Sequence, residues 1–190
     1  MIEKEKMSDL KIFNKVENEI KLEMNDLAGA REKLNYLGAV ALGTEHQQDT
    51  YFQRLNPKER ITNENIRVRE VVKDKNERYG YFTYKSPLDR SAQFLKRDEF
   101  ETRVDNPQII LDILHRLGYE IIDRIAKTRE AYKLNGMYIG LDYIEGLGRF
   151  IEIEGEDQNI ISLVKYLGLN PANAINKSYS ALRDERSKVS

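Results

Sequence analysis

Charged residues recur at every second position in most of the extended segments of this chain. In Val16-Glu17-Asn18-Glu19-Ile20-Lys21-Leu22, the charges Glu17, Glu19 and Lys21 alternate, with Val16, Ile20 and Leu22 between them. A strand has period two, so the three charges share one face and the apolar residues the other. Arg67 and Arg69 alternate with Ile66 and Val68; Arg97, Glu99, Glu101 and Arg103 share one parity. Lys127 and Arg129 repeat the pattern, and Glu152 and Glu154 alternate with Ile151 and Ile153. One such strand alone reads as a two-faced strand with its charges in solvent.

Three amphipathic helices change that reading, because each needs an apolar face to cover. The first spans about 26–37, with Asn25 or Asp26 as N-cap and Leu27, Ala30, Leu34 and Leu37 at helical spacing. A second starts at Pro107 after Asp105 or Asn106 and buries Ile109, Ile110, Ile113 (with Leu114) and Leu117. The third runs over about 157–167, capped by Asp157, with Ile160, Ile161, Val164 and Leu167 inward. All three stop on Leu-Gly, at Gly38, Gly118 and Gly168. Strands are expected near 16–24, 46–53, 66–73, 78–85, 95–104, 121–133, 136–144 and 149–155. The order strand, helix, three strands occurs twice, a weak repeat of pattern. The whole chain, 1–190, reads as one domain, with residues 1–15 a charged lead-in and 169–190 a helical tail.

If the apolar faces lie under the helices, the charged faces meet in bulk water or in a shared interior. Closing eight strands into an antiparallel barrel places them in the lumen, with the helices outside, an α+β fold. The bases Lys21, Arg67, Arg69, Lys85, Arg97, Lys127 and Arg129 then face the acids Glu17, Glu19, Glu99, Glu101, Asp142, Glu152 and Glu154. Two unpaired like charges at ~4 Å repel by about 4 kcal/mol at an effective dielectric of 20, so segregated clusters imply counter-ions. Such a lumen can pair its own charges, or hold divalent cations on its acids and a polyanion on its bases. Carboxylates suit Mg²⁺ or Mn²⁺, and arginine with lysine suits phosphate oxygens.

Composition narrows the rest. With 31 basic and 32 acidic residues the net charge is −1, which gives no global attraction to nucleic acid or to an anionic membrane. There is no cysteine, hence no disulfide, thiolate ligand or cysteine nucleophile. The N-terminal residues lack the apolar core of a signal peptide, and no apolar run nears the roughly 20 residues of a membrane helix. A soluble, cytoplasmic protein is expected. His46 and His115 read as surface residues, Asp49 and Tyr51 as structural, and Gly146-Leu147-Gly148 as a turn.

Beyond periodicity, Glu17-x-Glu19-x-Lys21 resembles the signature of the CYTH superfamily, the triphosphate tunnel metalloenzymes. Gln48-Asp49-Thr50-Tyr51-Phe52, Ile66-Arg67-Val68-Arg69, Thr83-Tyr84-Lys85-Ser86-Pro87 and Arg97-Asp98-Glu99-Phe100-Glu101 are similar to its successive strand motifs. Lys127-Thr128-Arg129, Leu141-Asp142 and the segment from Gly146 to Glu154 complete an ordered series. Ser86 stands where glycine is more usual, and the stretch between Lys85 and Arg97 has no placed counterpart. Gln-x-Asp-Thr-Tyr-Phe, Gly-Leu-Gly-x-Phe-x-Glu-x-Glu and Ser178-Tyr179 lean toward the class IV adenylate cyclase branch.

The resemblance implies an eight-stranded tunnel with Mg²⁺ or Mn²⁺ on Glu17, Glu19, Glu152 and Glu154, Asp142 being a further ligand. It implies that Lys21, Arg67, Arg69, Lys85, Lys127 and Arg129 grip a triphosphate, with Lys21, Lys85 and Arg129 counted as catalytic. The reaction it implies is conversion of ATP to cyclic AMP and pyrophosphate. The alternative in the same site is hydrolysis of tripolyphosphate, thiamine triphosphate or a nucleotide. A third reading is a binder without turnover, against which the intact acidic motifs stand. A homodimer is expected from the cyclase branch alone.

Overall fold

The computed structural model describes residues 14–61, 64–73, 77–86 and 95–187. Eight antiparallel strands close on themselves. They are β1 (Asn14–Glu23), β2 (Val40–Arg54), β3 (Asn65–Lys73), β4 (Glu77–Lys85), β5 (Leu95–Val104), β6 (Tyr119–Leu134), β7 (Met137–Ile144) and β8 (Gly148–Glu154). Around the barrel the order is β1-β5-β4-β3-β2-β6-β7-β8. Closure falls to β1, which pairs Asn14–Glu19 with β5 and Glu19–Glu23 with β8. Helices α1 (Leu27–Tyr36), α2 (Pro107–Arg116), α3 (Asp157–Tyr166) and α4 (Tyr179–Ser187) pack on the outside or across one end.

The period-two reading accounts for both faces of the wall. On β1, β7 and β8 the outward residues Ile20, Leu22, Ile139, Leu141, Ile151 and Ile153 are all at most 1% exposed. Ala30 and Leu34 of α1 and Ile160, Leu163 and Val164 of α3 cover them. Sinking a side chain as completely as Leu34 contributes on the order of 2 kcal/mol. A smaller layer joins Phe52, Ile66 and Val68 to Leu114 of α2. The third cluster seals one end of the barrel: Tyr51, Ile125, Ile144 and Phe150 of the wall meet Tyr179 and Leu182 of α4.

Local signals set the ends of α1 and α2. Asp26 accepts a hydrogen bond from the Gly29 amide and Asn106 from the Ile109 amide, satisfying donors a helix start leaves open. The Leu-Gly stops are real turns: Gly38, Gly118 and Gly168 have φ of +77°, +82° and +83°, a region costly for any residue with a Cβ. Asp157, however, is not a cap. The N-cap of α3 is Glu156, which makes no side-chain cap bond, while Asp157 accepts from Asn18 Nδ2 at 2.6 Å.

Two further expectations are corrected. The strand expected from 46 begins at Val40, where Val40–Glu45 pairs with β6 through a bulge between Ala41 and Gly43. That bulge breaks the alternation which would have revealed it. On α2 the buried stripe is Leu114, with Ile110 and Leu111 beside it; Ile109, Ile113 and Leu117 are 53%, 45% and 66% exposed. Both stripes satisfy the helical period, and the position of Phe52, Ile66 and Val68 on the wall selects one. Among the described residues no helix is long and apolar enough to cross a membrane. Residues 1–13 of the charged lead-in and 87–94 of the unplaced stretch lie outside the described residues.

Candidate functional site

The inward parity of the wall encloses a cavity of about 510 Å³. Lys21, Arg67, Arg69, Lys85, Lys127 and Arg129 all line it, as do Glu19, Glu99, Glu101, Glu152 and Glu154. Arg67 and Arg69 share that face of β3, and Lys127 and Arg129 that of β6, because each pair is two residues apart. Four of the bases, Lys21, Lys85, Lys127 and Arg129, are 5–6% exposed and Arg67 is 9%. Charges buried to this degree survive only when paired or hydrogen-bonded.

Two aspartates hold the bases in place. Asp49 on β2 stands opposite Arg69 in register. Its Oδ1 accepts from Arg69 Nε at 2.6 Å and its Oδ2 from Arg69 Nη2 at 2.7 Å. Arg67 Nη1 lies 3.6 Å from the same Oδ2, and the Tyr51 hydroxyl donates to it at 3.3 Å. Asp142 on β7 stands opposite Arg129 in register. Arg129 donates to both of its oxygens at 2.6 Å, Lys127 Nζ to Oδ2 at 3.0 Å and the Tyr179 hydroxyl to Oδ2 at 2.8 Å. Burial alone would raise the pKa of each aspartate. The neighbouring cations outweigh it, Arg69 and Arg67 at Asp49 and Arg129 and Lys127 at Asp142, so both lie below the ordinary carboxylate range.

Glu152 joins the second group to β1. It pairs with Lys21 at 3.1 Å, is bonded by Arg129 Nη2 and lies 3.9 Å from Lys127 Nζ. Burial opposes ionisation of both Lys21 and Glu152. Glu152 and Glu19 nonetheless hold the ammonium of Lys21 above its usual pKa, and Lys127 and Arg129 hold Glu152 well below its own. Lys127 goes the other way: burial, with Arg129 beside it, brings its pKa down to about 8. On the opposite wall Lys85 pairs with Glu99 at 3.1 Å and Arg67 with Glu101 at 3.3 Å. The Arg67 Nε is buried without a hydrogen-bond partner in the protein, a donor left for something else.

The structure therefore brings together nearly every residue singled out in the sequence. Asp142 is the exception among the expected metal ligands. It is 0% exposed, does not line the cavity, and has both oxygens occupied by basic and hydroxyl donors. Glu17 is placed on β1 opposite Arg97, but the side chains of both lie outside the described ones. Among the described residues no three His, Cys, Asp or Glu side chains converge as a metal cage. The donor set nonetheless fits a hard divalent cation. Glu19 and Glu154 are directly opposed across β1 and β8, both line the cavity, and Glu152 follows on the same face. Carboxylate oxygens of this kind are the ligands a hard divalent cation prefers.

Glu45, Gln47, Tyr81, Tyr138, Ser178 and Tyr179 also line the cavity. The signal for Glu45 and Gln47 is the same period two, since they precede Asp49 and Tyr51 on one parity; Gln47 lies within the expected strand, and Glu45 just outside it, the observed strand starting six residues earlier, at Val40. Tyr138 precedes Gly140 and Asp142, and Tyr81 precedes Thr83 and Lys85, in the same way. Asp49 and Tyr51 belong to the lining as well as to the wall. Tyr179 reaches in from α4, with Lys21 Nζ 4.4 Å and Lys127 Nζ 5.1 Å from its ring centre.

Comparison with known proteins gives concordant matches. Residues 15–179 match the CYTH domain family. A candidate adenylate cyclase of Methanocaldococcus jannaschii is 31% identical over 179 residues, 88% of this chain and 98% of the relative. Among solved structures, a Pyrococcus horikoshii protein superposes with a TM-score of 0.74 at 29% identity, over 87% of this chain and 98% of the other. A Hippeastrum protein superposes with a TM-score of 0.64 at 20% identity, over 90% of this chain and 96% of the other, a likeness of fold. It is described as a candidate adenylyl cyclase with a dominant triphosphatase activity.

Proposed function

We propose that this chain, which belongs to the CYTH domain family, binds ATP by its triphosphate within the barrel and converts it to cyclic AMP and pyrophosphate. The observation that carries the reading is the convergence of six basic side chains on one cavity of about 510 Å³. Guanidinium and ammonium groups gathered in so little space suit the non-bridging oxygens of an oligophosphate.

The residues act in stated roles. Arg67, Arg69, Lys85, Lys127 and Arg129 donate to the non-bridging oxygens, and the unpartnered Arg67 Nε supplies one such donor. Asp49 and Asp142 are positioning residues that fix the forks of Arg69 and Arg129 before substrate arrives, so little reorganisation is left for the reaction itself. The ribose 3′-oxygen attacks the α-phosphorus, its proton leaves to solvent, and the bond to the bridging oxygen of the β-phosphate breaks. Negative charge then grows on the departing pyrophosphate, where Lys21, Lys85 and Arg129 stabilise it. Mg²⁺ or Mn²⁺, held by Glu17, Glu19, Glu152 and Glu154, would acidify the attacking hydroxyl and screen the phosphate oxygens when bound.

Hydrolysis is the competing reaction in the same site, with water attacking the terminal phosphorus. The triphosphatase activity described for the Hippeastrum protein of the same fold is the observation that favours it. Incubation with ATP and Mg²⁺ or Mn²⁺, followed by chromatographic identification of products, decides between them. Cyclic AMP with equimolar pyrophosphate is the expected outcome. Phosphate release from tripolyphosphate or thiamine triphosphate with no cyclic product from ATP would overturn the cyclase assignment.

A further inference from the structure

The two ends of the cavity differ. At the end where β2 finishes and β8 begins, α4 closes the barrel with Tyr179, 3% exposed, against Phe150 at 0% and Ile125 at 1%. Whatever is attached to a bound triphosphate cannot leave by that end. Glu45 lies six residues before Tyr51 on β2, about 20 Å away at a strand's rise, and so belongs to the opposite end. There Glu45, Tyr81 and Tyr138 line the cavity and are partly exposed.

These side chains form a fixed set. The Tyr79 hydroxyl donates to Glu45 Oε1 at 3.2 Å and Gln47 Nε2 to Glu45 Oε2 at 2.7 Å. The Tyr79 ring meets Tyr81 edge-on, 5.6 Å between centres at 89°, and carries the Arg103 guanidinium 4.4 Å above its centre. Burial raises the pKa of both lining phenols; Glu101 and then Glu45 add to it at Tyr81, and at Tyr138 Glu45 adds to it against the opposing Arg129. Glu45 stands opposite Arg129 in register, but its own carboxylate repels a triphosphate. An ionised carboxylate only accepts hydrogen bonds, and two of its roughly four acceptor positions are taken here.

We propose that this end reads the organic part of the substrate: a planar ring lies against Tyr81 and Tyr138 and donates from an exocyclic amine to Glu45. The inference rests on the triphosphate-tunnel reading and adds the residue that selects among triphosphates. An amine satisfies Glu45; a ring carbonyl at the same place sets two acceptors face to face, which is disfavoured more strongly than a missing contact.

Calorimetric titration of the intact protein without divalent metal, so that nothing turns over, tests it with three probes: ATP, inosine triphosphate and inorganic tripolyphosphate. The protein should bind ATP about tenfold more tightly than inosine triphosphate, as expected for one hydrogen bond to a charged acceptor. Glu45→Ala should bring the two nucleotides within about twofold while tripolyphosphate affinity stays within the same margin. Tyr81→Leu should weaken both nucleotides and spare tripolyphosphate, whose binding also reports that each variant is folded. Equal affinity of the wild-type protein for the two nucleotides, or an undiminished preference in Glu45→Ala, overturns this inference and leaves the tunnel reading intact. Failure of both tripolyphosphate and ATP to bind the wild-type protein, with Mg²⁺ as well as without it, overturns the tunnel reading together with it.

Discussion

The Asp49 and Asp142 groups use one plan with different parts. In each, a buried aspartate faces an arginine directly across a strand pair, and a second base two residues along completes the set. Each also receives a tyrosine hydroxyl. At Asp49 every part comes from β2 and β3, and the aspartate touches the cavity it serves. At Asp142 the tyrosine comes from α4, 37 residues further along the chain, and the aspartate sits behind the lining. The first group is thus a local product of one strand pair. The second ties the closing helix to the tunnel wall, so its integrity depends on the first residue of α4 staying in place.

Removing the aspartates should expose that difference most strongly. Asp142→Ala leaves Arg129 and Lys127 side by side without the 0% exposed carboxylate that pairs them, and breaking a buried pair of this kind costs about 3–5 kcal/mol. Asp49→Ala strands Arg67 and Arg69 as well, but Asp49 itself lines the cavity, so solvent can enter the space it leaves, which places its cost near the lower end of the range, about 3 kcal/mol. Urea denaturation of the two variants measures the ordering. Equal losses would mean that lining the cavity gives the Asp49 group no relief.

The same contrast shows what could be read in the sequence. Period two in Glu17-x-Glu19-x-Lys21 and Glu152-x-Glu154 was enough to put the charges on one face and count eight strands, because a one-residue error of parity would bury them under the helices. It was not enough to tell a metal ligand from a clamp. Asp142 and Glu154 look alike as acids on alternating strands, and only the register that sets Asp142 opposite Arg129 distinguishes them. Register depends on bulges and turn lengths, which composition does not carry. The α2 face was hidden for a related reason: Ile109, Ile113 and Leu117 compete with Ile110 and Leu114 on equal terms until the wall beneath is known.

Acid should dissolve the Asp49 group in a defined direction. Its pKa is depressed from an ordinary 3.8, so its stabilisation is complete above that value and is lost as pH falls through the lower folded value. Asp49→Asn removes the charge at all pH. The stability gap between wild type and variant should therefore hold from neutrality to about pH 5 and shrink below pH 4, as followed by thermal melting. A gap that persists unchanged into strong acid would mean that the carboxylate charge contributes nothing to the fold.

At the second group a steric test is sharper. Gly140, beside Asp142 on the same face of β7, lies where an added Cβ would meet Arg129 Nε at 2.7 Å. Gly140→Ala should push the guanidinium off Asp142, at about 1–3 kcal/mol in stability and with a larger loss of kcat than of KM for ATP. Unaltered turnover would show that the Arg129 fork need not be held.

The smallest effects separate the two hydroxyls. Tyr179→Phe removes the donor 2.8 Å from Asp142 but leaves a ring beneath Lys21 and against Phe150, so the loss is that of a hydrogen bond to a buried charge, about 1.5 kcal/mol. Tyr51→Phe removes a longer contact of 3.3 Å from an aspartate that Arg69 already engages at both oxygens, and should cost about 0.5 kcal/mol. Denaturant titration resolves a difference of this size if the slopes of the two transitions agree. Limited proteolysis supplies the independent readout. Tyr179→Phe should speed cleavage within α4, whereas Tyr51→Phe should not, because only the second group uses its aspartate to hold a helix across the end of the barrel.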